Sequence, residues 1–144
     1  RKYRLQTVLD LREKAKEKAK EAFAHAVRER DIAANRVTDA LTRLEELTRM
    51  ITGERFPAYV REQGWNALNA QRDLLRTLQI RLAQEEKKLE DRREKLVFAD
   101  RDHKLVLKLK EKWEISMRLE DARAEEKSLE DFVTATRFLQ TAIP

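Results

Sequence analysis

Residues 53–64 read GERFPAYVREQG and hold both glycines of the chain, Gly53 and Gly64, together with its only internal proline, Pro57. All the interior breakers of a 144-residue protein therefore fall within twelve positions. Pro57 disfavours helical backbone at Phe56 and carries no amide donor. Gly53 is expected to cap a preceding helix in the left-handed conformation. On either side, the sequence reads as uninterrupted helix.

Before the break, small or apolar residues recur at Ala19, Phe23, Ala26, Ala33, Val37, Ala40, Leu44, Leu47 and Ile51, with Arg30 in the one vacant slot. The steps alternate four and three, which is a heptad seam. Leu5, Val8 and Ala15 extend it upstream less cleanly. After the break, Leu68, Leu75, Leu82, Leu89 and Leu96 fall every seventh residue. A narrow apolar stripe on a charged helix needs a partner, and a short connection favours an antiparallel neighbour.

The expected fold is all-α: a long antiparallel two-helix coiled-coil hairpin with an overhanging second helix, in one domain over residues 1–144. Helix one is expected over about 3–51, the bend over about 52–64, and helix two from about 57 (or only 66) to 140. An early start of helix two is favoured, because the segment from Ala58 to Gln63 contains good helix formers. If facing positions sum to about 115, then Ala19, Ala26, Ala33, Ala40 and Leu47 meet Leu96, Leu89, Leu82, Leu75 and Leu68. Small residues then oppose large ones, so the helices can interdigitate. The same alignment sets Arg30 against Glu86 as a polar layer that would fix register more than add stability.

Helix one would be roughly 75 Å long and helix two on the order of 120 Å. Leu5 would meet Lys110, leaving the rest of helix two without a partner. That tail keeps an apolar stripe at Ile115, Leu119, Ala122, Leu129 and Val133, flanked by Trp113, Phe132 and Phe138. It reads as a docking surface; the other reading is a C-terminal end that folds back or frays.

Composition agrees with a long helix. Charged residues make up 41% of the chain and aromatics 6%, too many charges and too few turn residues for a compact globule. The 41% apolar content is too high and too regular for a disordered chain. There is no cysteine, so neither a disulfide nor a thiolate metal site is expected, which fits a reducing compartment. No apolar run approaches the roughly 18 residues of a membrane span, and the opening residues do not read as a signal peptide. Net charge is +5, but signs alternate, as in EKAKEKAKE, so a solvated face is favoured over a phosphate-tracking stripe.

Catalytic patterns are not evident. His25 and His103 lack ligand neighbours at zinc spacing, and Ser116 and Ser128 lack triad context. No phosphate-binding glycine loop is present, and no cofactor is expected. Acid pairs such as Glu45–Glu46, Glu85–Glu86 and Glu125–Glu126 suit coiled-coil flanks. A basic zipper would need a basic helix leading into the leucines, whereas Lys104, Lys108, Lys110 and Lys112 follow them. Near the bend, Phe56, Tyr59 and Trp65 either plug the hairpin end or offer an aromatic contact. Leu41, Leu74 and Leu78 lie just off the seam and could extend either role.

Two segments carry a resemblance. YRLQTVLDLREKAKEKAKEAF, from Tyr3, resembles the opening of the flagellar export protein FliJ family and its injectisome relatives, the YscO-like stalk proteins. EDARAEEKSLEDFVTATRF, ending at Phe138, resembles that family's C-terminal stretch, with Glu125, Glu126 and Lys127 where the family often has Glu-Gln-Lys. The order of the two segments and the hairpin between them extend the likeness over nearly the whole chain.

The resemblance implies a non-enzymatic central stalk of a type III export ATPase in the bacterial cytoplasm, peripheral to the inner membrane. Both helix ends would insert into a hexameric ATPase ring, and the bend would point to the membrane export gate. Some relatives also bind export chaperones. The residues expected at the ring are Tyr3, Leu5, Leu9, Arg12, Trp113, Met117, Arg118, Arg137 and Phe138; those expected at the gate are Leu41, Tyr59, Trp65, Leu74 and Leu78. The chain is expected to be monomeric, with no nucleic-acid partner and no membrane insertion. The alternatives are a coiled coil that dimerises through the leucine seam, a basic nucleic-acid-binding helix, and a hairpin chaperone.

Overall fold

The computed structural model describes residues 2–53 and 57–142. Within them the chain forms two α-helices and no strand: α1 is Gln6–Gly53, 48 residues, and α2 is Ala58–Ala142, 85 residues. The residues divide into two compact units. One is Ala15–Ala99; the other joins the residues up to Lys14 with those from Asp100 onward.

The Ala15–Ala99 unit is an antiparallel helical hairpin. Its buried residues are Ala26, Ala33, Val37 and Ala40 from α1 and Leu68, Leu75 and Leu89 from α2, with Glu85 the buried charge. Ala19, Leu47, Leu82 and Leu96 are half-buried on the same seam. Val37, Ala40 and Leu75 form one cluster, with Leu44, Leu78 and Leu82 packed on it. Leu68 is only 1% exposed, so its side chain contributes about 2 kcal/mol of burial. Gln71 Nε2 donates to the Ala40 carbonyl at 3.3 Å, tying α2 to the α1 backbone.

The bend differs from its reading in the sequence at Gly53. Gly53 is the last residue of α1 and keeps right-handed helical backbone; it is not a left-handed cap. α1 therefore runs a little past its expected end, and Glu54, Arg55 and Phe56 lie outside the described residues. Pro57 opens α2: its carbonyl accepts from Val60 N at 3.0 Å and Arg61 N at 3.1 Å. A proline costs nothing there, because the first amides of a helix have no intrahelical acceptor. Gly64 is not a breaker but part of α2. A methyl group at Gly64 would stand 3.0 Å from Ile51 Cγ1, so the missing side chain lets α1 approach closely. That contact falls on the register expected from the sequence.

In the other unit, Gln6 N donates to Tyr3 O at 3.1 Å and Leu9 N to Leu5 O at 2.9 Å. Residues 3–5 thus form a turn, and α1 begins at Gln6, three residues later than expected. Among the described residues of this unit, Leu9 and Val106 are the buried apolar ones. α2 continues as helix to Ala142, so the tail does not fold back.

Candidate interaction surfaces

Named side chains join the N-terminal arm to α2. Tyr3 packs on Trp113 with ring centroids 5.2 Å apart and planes tilted by 45°. Such a pair adds about 1 kcal/mol beyond its burial. Arg12 is hydrogen-bonded and ion-paired to Asp102. Both groups are partly exposed, so solvent screening leaves this pair worth about 0–1 kcal/mol. Leu9, between these contacts along α1, is 5% exposed and Val106 is 8% exposed.

These contacts redistribute the residues expected at an ATPase ring. Leu9 is core. Tyr3, Trp113 and Arg12 hold the arm to α2, which leaves them only partly available to a partner. Met117 is half-buried and Leu5 is 40% exposed. Arg118, Arg137 and Phe138 are exposed on the tail. The apolar side chains Ile115, Leu119, Leu129, Phe132, Val133, Phe138 and Leu139 are likewise exposed.

Around the bend, Leu41, Tyr59, Trp65 and Leu74 are exposed, whereas Leu78 packs against the Val37–Ala40–Leu75 cluster. Tyr59 and Trp65 therefore do not plug the hairpin. Phe56, the third aromatic of that expectation, lies outside the described residues.

The polar layer differs by one residue from expectation. Glu86 is exposed, and Arg30 pairs with Asp31 at 2.8 Å. The buried carboxylate is Glu85, bonded to Arg81 at 3.0 Å and lying 3.7 Å from Lys88. It borders a cavity of about 260 Å³ between the helices, shared with Ala22, Ala26, His25 and Arg92. The signal was in the sequence. Stepping by seven from Leu78 reaches Glu85, Arg92 and Ala99, then Val106 and Trp113, all buried or half-buried. That second line completes the leucine line on α2. Its polar members Gln71, Glu85 and Arg92 obscure it. The leucine line itself runs on through His103, Lys110 and Met117, each half-buried. His103 Nδ1 is buried without a hydrogen-bond partner.

A family model described as "Flagellar FliJ protein" matches residues 1–140, nearly the whole chain. The chain belongs to the FliJ family. It is thus a coiled-coil protein related to flagellar export, and the family is a component of export rather than a known enzyme family. No curated protein and no solved structure matches the chain. Among the described residues of this FliJ-family chain, no helix is long and apolar enough to cross a membrane.

Proposed function

We propose that the chain is the non-enzymatic central stalk of the flagellar export apparatus. The N-terminal arm and the tail of α2 enter a hexameric export ATPase, and the surface around the bend meets the membrane export gate. The protein then resides in the cytoplasm, peripheral to the inner membrane, and export chaperones are further partners. One observation carries the reading: α2 stays helical from Trp113 to Ala142 with Leu119, Leu129, Phe132 and Phe138 at least half exposed. Large apolar side chains ranged along a helix with no intramolecular cover are a binding surface. Family membership supplies the setting.

The mechanism asked of the chain is mechanical and electrostatic. A single asymmetric two-helix element in a six-fold ring meets its subunits unequally, which makes their sites inequivalent. At the bend, Tyr59 and Trp65 offer large rigid apolar area at low entropic cost, as interface anchors do.

Phe138, 70% exposed, is the clean probe of ring insertion. Phe138→Ala is expected to weaken binding to the purified export ATPase about tenfold while leaving the unfolding midpoint within error. Unchanged affinity would refute the assignment. A stable dimer in sedimentation, lost on replacing exposed tail residues, would favour the dimerising coiled coil instead.

A further inference from the structure

Toward its C-terminal end α2 carries a second apolar line on the side opposite its seam. A straight α-helix turns about 100° per residue. Taking buried Val106 as the origin, Trp113 stands at about −20° and Met117 at about +20°, on the face that meets the N-terminal arm through Tyr3. Ile115 lies at about 180°, Leu119 at about 220°, Leu129 at about 140° and Val133 at about 180°. Phe132, at about 80°, Phe138, at about −40°, and Leu139, at about 60°, are exposed on the seam side, so the tail carries two apolar lines, and the one through Ile115, Leu119, Leu129 and Val133 is not a continuation of the seam. That stripe begins on the opposite side of the helix while the seam is still in use.

Charge accompanies the stripe. Residues 118–131 hold six acidic side chains (Glu120, Asp121, Glu125, Glu126, Glu130, Asp131) against three basic ones (Arg118, Arg123, Lys127). This runs against a protein whose net charge is +5. Glu125, Glu126 and Glu130 are exposed. A shallow depression lined by Glu126, Leu129, Glu130, Val133, Thr134 and Arg137 sets two of them beside two stripe residues. A second one sets Glu125 beside Leu129.

We propose that this outer stripe docks a basic amphipathic helix of another protein, and that this partner approaches α2 from the side opposite the N-terminal arm. The partner's apolar residues cover Leu119, Leu129 and Val133, and its lysines or arginines meet the glutamates beside them. The arm stays fastened throughout, because its seam lies on the other face. The proposal rests on the stalk reading for the identity of the partner but not for its chemistry.

The test uses the full chain and two synthetic helical peptides with one leucine stripe, flanked by lysines in one and glutamates in the other. Fluorescence anisotropy should show the lysine peptide binding at least ~10-fold tighter, with the preference shrinking as salt is raised. Leu119→Lys combined with Val133→Lys should lower that binding at least ~10-fold, with helicity by circular dichroism unchanged, since both residues are exposed. Amide exchange of residues 2–14 should be the same with and without peptide. Failure of the lysine peptide to bind, equal binding of both peptides, indifference to the double substitution, or faster exchange in the arm would each overturn the proposal. So would self-association of the chain through the same stripe in sedimentation. Purified export ATPase separates the two readings. If it binds the chain but ignores the double substitution, the docking face is wrong and the stalk stands. If the lysine peptide behaves as expected and the ATPase does not bind, the docking face stands and the stalk falls.

Discussion

The Ala15–Ala99 hairpin and the unit that joins the N-terminal arm to the end of α2 are built on the same heptad spacing, yet they are held very differently. Among its described residues the hairpin buries seven apolar side chains and a carboxylate along two seams. Among its described residues the other unit buries Leu9 and Val106, joins the arm to α2 through the Tyr3–Trp113 and Arg12–Asp102 pairs, and leaves the apolar side chains of the tail exposed. It also carries His103 Nδ1 buried and unpartnered. Periodicity alone does not make a core. What matters is whether the opposite helix supplies a facing residue at each step. Where it does not, the stripe stays exposed, and regions that bury little apolar surface open most readily.

The sharpest way to break this comparison is at its best-buried residue. Leu68→Ala should cost the hairpin about 3 kcal/mol, read as a lower urea midpoint by circular dichroism. A loss under ~1 kcal/mol would mean the seam is not what holds it. Next comes Glu85. Removing it by Glu85→Ala should cost about 1 kcal/mol, because Arg81 and Lys88 are mostly exposed and regain water. Glu85→Leu should be neutral or stabilising but should broaden the distance between spin labels at Ala26 and Leu89, since an apolar seam permits register slippage. An unbroadened distance would remove the register role.

In the other unit, Trp113→Ala should cost about 1 kcal/mol locally. Amide exchange of residues 2–14 should accelerate while residues 26–40 keep their protection. Acceleration in both stretches would show that the units do not open separately. The smallest effect concerns Asp91, whose carboxyl is held below the usual range chiefly by a hydrogen bond from Lys95, with desolvation opposing and Arg92 assisting. A lowered carboxyl stabilises above its ordinary range and loses that contribution as pH falls through the lowered value. Lys95→Ala should raise the Asp91 titration measured by NMR, with no detectable change in melting temperature, because the group is exposed to solvent.

Much of this was legible in the residues. The leucines at seven-residue spacing and the clustered breakers led to the hairpin, and buried Leu68, Leu75 and Leu89 lie on that line. The buried carboxylate was misplaced by one position, because the second α2 line passes through Gln71, Glu85 and Arg92 and does not look apolar. Gly53 invited a cap that α1 does not use. Leu9 and Leu78 read as surface contacts, whereas Leu9 is buried and Leu78 packs against the Val37–Ala40–Leu75 cluster.

By itself, the sequence determined that the chain would be helical, would turn once near Pro57 and would carry an apolar stripe beyond the reach of its first helix. Those properties follow from spacing and backbone chemistry, which are local. Tertiary structure decided which polar residue is buried, which aromatics fasten the arm, and on which side of α2 the uncovered stripe emerges. Each of these depends on what stands opposite a residue, and spacing along one helix does not specify that.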